Sequence, residues 1–106
     1  MAEKICAVYV TASDVKEAGK IGSAILSEKL AACVNIYDGM TAMYLWKGKK
    51  ETGREAGLII KTKKSLVPAL KKAIKRLHSY SCPCILVFEA SDADKAYADW
   101  IIKETK

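Results

Sequence analysis

The chain has 106 residues, 51% of them apolar and 28% charged, with a formal net charge of +6, four cysteines and one histidine. A chain of this length supports one core that buries roughly two-thirds of its unfolded surface. It contains no run of ~20 uncharged apolar residues, which argues against a membrane partner, and its positive balance gives only non-specific attraction to anions unless the charge is gathered on one face.

Met1 to Lys4 lead directly into an apolar run with neither a basic leader nor a cleavage-site pattern, so the chain reads as cytoplasmic, with its thiols reduced. Ile5-Cys6-Ala7-Val8-Tyr9-Val10 is a continuous β-prone run, the pattern of a central strand buried on both faces. Asp14 with Glu17 three residues later forms a capping box, with Ser13 as the alternative cap. The helix that follows presents Val15, Ala18, Ile21, Gly22, Ile25 and Leu26 on one face and ends near Leu30.

Ala32 to Trp46 reads as extended, interrupted by Asp38-Gly39; Gly48 to Gly53 reads as a polar turn; Glu55 to Thr62 returns as a third strand, closing a hairpin. Ser65 is positioned to cap a second helix with Pro68 in its first turn and a stripe at Leu66, Val67, Leu70, Ile74 and Leu77. Cys84 to Phe88 is a fourth strand, and Ala93 to Lys103 a short terminal helix using Tyr97, Trp100 and Ile101. This order predicts one α+β domain over residues 1–106. It is a ferredoxin-like βαββαβ sandwich, with an antiparallel sheet, both long helices on one face, a long protruding hairpin and a short C-terminal helix.

The second strand is too long for such a domain. Its 15 residues span roughly 50 Å at ~3.3 Å each, against a radius of gyration near ~13 Å for a chain of this size. It must bend or project. Met43-Tyr44-Leu45-Trp46 is apolar on both faces, and a partner subunit is the simplest cover for it. The alternative is that Asp38-Gly39 is a tight turn and an extra strand folds back within one subunit.

HSYSCPC, residues 78 to 84, holds the chain's histidine and two of its cysteines. His78 stands in the last turn of a basic helix, where an imidazole caps a carbonyl or packs under a loop as readily as it binds metal. Cys82 and Cys84 share a side if the segment is extended, a donor pair suited to Cu(I) or Zn(II), although small buried thiols are also common core residues. Lys71, Lys72, Lys75 and Arg76 read as a solvated face, and LIIKTKK at 58 to 64 lacks the stacking aromatics of a sheet that reads RNA, so no nucleic-acid partner is expected. With one histidine, no evident serine or cysteine partner for it and no Gly-rich phosphate loop, the chain does not read as an enzyme.

LSEKLAACVNIYDGMTAMYLWKGK, EAGLIIKT and LHSYSCPCILVFEA, followed by Asp94 to Ile101, resemble the CutA divalent-cation-tolerance family along nearly the whole chain. The most specific pieces are KLAACVN, the hairpin tip Trp46 to Lys49, IKT at 60 to 62 and the His-x-Tyr of 78 to 80. The resemblance implies a homotrimer whose hairpins pair with neighbouring subunits, and a link to metal tolerance, chiefly copper, without an established reaction. It implies intersubunit clefts around Tyr44, Trp46, Glu55, Lys61 and Tyr80, where Lys61 faces an anion and Glu55 a cation or a neighbour's base, or where both serve packing and ion pairing. Typical members read His-Pro-Tyr-Glu where this chain has Ser79 and Ser81, and Val10 and Leu77 stand where copper-binding members use cysteine and histidine. Only His78 carries over, leaving Cys82 and Cys84 as substitute donors. A PII-like signalling trimer, which shares the fold and binds nucleotides between subunits, is the rival reading.

Overall fold

In the computed structural model, which describes residues 3–106, Ile5–Ala12 forms strand β1. Its burial alternates. Cys6, Val8, Val10 and Ala12 are at most 1% exposed, whereas Ala7, Tyr9 and Thr11 are half-buried. The expectation of two fully buried faces is thereby corrected: both long helices pack on the Val8 side, and the Tyr9 side is the sheet's open face.

Helix α1 spans Val15–Ser27. Asp14 accepts the Glu17 N–H at 2.8 Å, and the Glu17 carboxylate reaches back to the Ser13 N–H at 2.9 Å, so the capping box forms one residue wider than its usual pattern. Ala18, Ile21, Gly22 and Ile25 are buried; Val15 and Leu26, expected on the same stripe, flank it and remain over 40% exposed. Left-handed Lys29, at φ 57°, turns the chain out of the helix ahead of Leu30.

Strands β2 (Cys33–Trp46) and β3 (Lys49–Lys63) make the long hairpin. Lys47 and Gly48 both have positive φ, 51° and 79°, the requirement of a two-residue type I′ turn. Gly48 to Gly53 is therefore not a polar turn. Thr52, Glu51 and Lys50 pair with Met43, Tyr44 and Leu45, and their polarity belongs to a strand projecting into solvent. Asp38-Gly39 is a bulge, marked by the register shift between Tyr37 and Met40, and β2 stays one bent strand. The domain is accordingly elongated, 46 × 27 × 22 Å. Gly39 sits at φ 72°, and a Gly39→Ala variant is expected to lose about 1 kcal/mol in urea unfolding. The added Cβ would lie 2.9 Å from the mobile Nη2 end of Arg54, which can swing aside, so the backbone sets the loss.

A 3₁₀ turn at Lys64–Leu66 precedes helix α2, Val67–Leu77. Ser65 does not cap α2. The turn moves it away from the helix start, its hydroxyl donates to the Glu3 carboxylate, and Leu66 at the cap position contributes no side-chain bond. Strand β4 is Ile85–Glu89 and helix α3 is Lys95–Glu104, capped by Asp94. Of the α3 residues expected to pack, only Ile101 is buried; Tyr97 and Trp100 stay over 40% exposed.

The strands run antiparallel in the order β2-β3-β1-β4, the ferredoxin-like arrangement. Alternate residues of β1 and β3, among them Val8, Val10, Leu58 and Ile60, meet Ile21, Ile25, Leu70 and Ile74 in the core. Thr62, fully buried, donates its hydroxyl to the Leu30 carbonyl at 2.7 Å, which satisfies the polar group on the helix-covered face.

Candidate binding groove on the open sheet face

A groove of about 830 Å³ runs along the open face at the root of the hairpin. The period-two geometry of strands builds it: Met40, Ala42, Tyr44 and Trp46 alternate along one side of β2, Glu55 pairs with Met40, and Tyr9 and Thr11 follow from β1. The loop from Tyr80 to Cys84, running into β4, forms the remaining wall. The Tyr80 hydroxyl donates to Glu55 Oε2 at 2.7 Å, and the Tyr9 hydroxyl lies 3.5 Å from Met40 Sδ. Burial, then the bond to Glu55 and its charge, pushes the Tyr80 phenol well above its ordinary value. Burial followed by the Glu55 charge also raises the Cys84 thiol. The Tyr9 phenol is raised too, by burial first.

Tyr44, Trp46, Glu55, Tyr80, Cys82 and Cys84 therefore share one groove. Lys61 does not join them. It lies on the same open face six residues along β3 from Glu55, a separation of roughly 20 Å. There its ammonium donates to Asn35 Oδ1 at 2.6 Å and sits 5.8 Å from the centre of the Tyr97 ring. Within the chain Glu55 pairs with Tyr80 and Lys61 with Asn35.

His78 follows the last residue of α2 with a side chain wholly out of solvent. Nε2 lies 2.7 Å from the Thr11 carbonyl, to which it donates, and Nδ1 accepts the Tyr80 N–H at 3.0 Å. That pairing uses the Nε2–H tautomer and leaves no free lone pair for a metal. A donor set of His78, Cys82 and Cys84 is thus not assembled within this chain. Among the described residues no group of three or more His, Cys, Asp or Glu side chains is placed to hold a metal ion. The two thiols on the groove wall remain as a soft pair, and His78 pins the loop that carries them to β1.

Glu17 completes that anchor. Its carboxylate accepts from the Ser13 N–H and hydroxyl, both at 2.9 Å, and from the Ser79 N–H at 2.8 Å, with Oε2 4.0 Å from His78 Nδ1. Burial alone would raise its pKa, but these bonds to the charged form overcome burial and lower it from 4.5 to about 2. A carboxyl with a depressed folded pKa adds stability that is fully present above the unfolded value and lost as pH falls through the folded one. Glu17→Gln is therefore expected to cost on the order of 1–2 kcal/mol near neutrality, and the gap from wild type should close as thermal melts are taken from pH 5 down to pH 2. A gap unchanged across that range would contradict the assignment.

Tyr9, Thr11 and Met40 also line the groove, although no sequence motif marks them. Tyr9 was concealed in an apolar run whose alternation only the one-sided helix layer reveals, and the register shift at Asp38-Gly39 is what sets Met40 opposite Glu55. The sequence profile of the CutA1 divalent ion tolerance protein family matches residues 6–104. Rice Protein CutA 1, chloroplastic, is 43% identical over 100 residues, covering 93% of this chain and 56% of its own length. The divalent-cation tolerance protein CutA of Pyrococcus horikoshii is 40% identical over 99 residues, covering 93% of this chain and 96% of that protein. Among solved structures, the periplasmic divalent cation tolerance protein CutA of Archaeoglobus fulgidus superposes with a TM-score of 0.93 at 33% identity, covering 96% of this chain and 99% of that one.

Proposed function

The chain belongs to the CutA1 divalent ion tolerance family, and from that membership we propose that it acts as a homotrimeric, non-catalytic, metal-response protein of the cytoplasm. The observation that supports this reading is the projecting hairpin. Met43 is 76% exposed, Leu45 73% and Trp46 51%, on a strand pair extending past the helix layer. Left in water, that surface is an aggregation hazard; a closed ring of subunits covers each hairpin with its neighbour and ends the assembly at a defined size.

Copper enters this reading as cargo. Cys82 and Cys84 supply the soft donors, Cu(I) being compatible with a thiolate pair, and His78 and Glu17 act as positioning residues for the loop. Because burial raises the Cys84 thiol, uptake releases a proton and strengthens as pH rises. The nucleotide-sensing trimer is the alternative: among the described residues no Lys or Arg of this chain lines the groove, so a phosphate bound there would need cationic donors from a neighbouring subunit. Among the described residues no helix is long and apolar enough to cross a membrane.

The test is anaerobic Cu(I) competition with a chromogenic chelator on wild type, His78→Asn and the Cys82→Ser/Cys84→Ser double variant, each confirmed folded by circular dichroism. The double variant should lose affinity by about tenfold or more while His78→Asn changes it far less. Equal affinity in all three would move metal handling away from this loop.

A further inference from the structure

We propose that the outer face of α2 docks linear inorganic polyphosphate, held by the ammonium groups of Lys71, Lys72 and Lys75 and the Arg76 guanidinium. This goes beyond the metal-response reading and does not rest on it. Residues 56–88 hold seven of the chain's 18 Lys and Arg and none of its 12 Asp and Glu, so the net charge of +6 resides in this stretch. Four of the seven stand on one helix. Leu70, Ala73 and Ile74 turn from α2 into the core, while Lys71, Lys72, Lys75 and Arg76 are exposed on its other side. That side looks away from the open sheet face, so it does not share the surface that the proposed trimer covers.

The arrangement costs the helix stability. Lys71 with Lys75, and Lys72 with Arg76, stand four residues apart, where like charges repel. Arg76 is relieved by Glu28 at 3.0 Å; Lys71, Lys72 and Lys75 form no ion pair among the described residues. Only Lys75 and Arg76, in the last turn, gain from the helix dipole. A face that meets water alone is kept solvated at less cost by charges of both signs, so the clustering points to an anionic occupant. Besides the cations this face exposes just Pro68 and Ala69. It lacks the large apolar groups that seat a helix in a lipid surface and the aromatic anchors of a protein interface. It also lacks the Ser, Thr, Asn and Gln side chains that help fix a protein's register on duplex DNA. What it offers is charge density, mostly as lysine point charges that bind phosphate from any direction, and a bare, flexible phosphate chain matches that.

Fluorescence anisotropy of end-labelled polyphosphate at about 0.15 M salt tests this. Wild type is compared with the Lys71→Gln/Lys72→Gln/Lys75→Gln variant and with Lys4→Gln/Lys103→Gln/Lys106→Gln, which removes as many exposed cations elsewhere. The α2 variant should bind about tenfold or more weakly, and the slope of its log affinity against log salt should be shallower by about 2, while the control variant stays within about twofold of wild type. Thermal melts should show the α2 variant no less stable than wild type, because its like-charge pairs are gone. Equal weakening in both variants would reduce the effect to net charge and overturn the proposal, as would the absence of saturable binding. Tighter binding of duplex DNA, polyglutamate or anionic vesicles, compared at equal anionic charge, would overturn polyphosphate as the occupant.

Discussion

Replacing Trp46 by Asp is expected to break the proposed trimer into subunits of 11.6 kDa, with a lower melting temperature. Trp46 is 51% exposed in the isolated chain, which leaves about 100 Å² of a side chain that buries ~150–250 Å² for a neighbour to cover in the proposed trimer. At ~25 cal/mol per Å² that contact is worth roughly 2–3 kcal/mol, and a carboxylate in its place adds several more in desolvation. Ring symmetry repeats the penalty at every interface. Tyr44 and Leu45, close along the strand, remain to hold a Trp46→Phe control together. Light scattering and thermal melts on the three proteins make the comparison, and an Asp variant with unchanged mass and melting temperature would remove the hairpin from the interface.

His78→Ala is expected to destabilise the subunit by about 3–5 kcal/mol in urea unfolding. The imidazole is wholly out of solvent and bridges the Thr11 carbonyl on β1 to the Tyr80 N–H on the groove loop. Truncation leaves that acceptor and that donor without partners and opens a void beneath the loop. A ligand histidine at a solvent-facing metal site would behave differently, losing copper affinity at little cost to metal-free stability. A loss below about 1 kcal/mol in the metal-free protein would contradict the structural role.

The fold could be read from the hydrophobic pattern where an element's period matched its environment, as at Ala18, Ile21 and Ile25 on α1. Failures occurred where environment depended on distant parts of the chain. Polarity from Lys49 to Gly53 imitates a turn because a strand projecting from the domain is wetted on both sides, while the true turn needs only Lys47 and Gly48 at positive φ. Ser65 carries a cap-forming side chain, but the chain turns before α2 and the hydroxyl finds Glu3 instead. At the site, Tyr44, Trp46, Glu55 and Tyr80 were recognised through the family resemblance and do meet in one groove, whereas Lys61, close in sequence to Glu55, is carried away by the strand's rise per residue. His78 shows a further limit. The sequence leaves it either a metal donor or a carbonyl cap, and the Thr11 and Tyr80 backbone positions, which engage both ring nitrogens, favour the second.

The mass of the wild-type protein in solution tests the hairpin-mediated assembly most directly. Light scattering at micromolar concentration, in reducing buffer with and without EDTA, should return three times the 11.6 kDa subunit mass in both conditions, as the proposed trimer requires if apolar hairpin contacts rather than metal or disulfides hold it. A mass of one subunit, with the exposed Trp46 surface left in water, would contradict it.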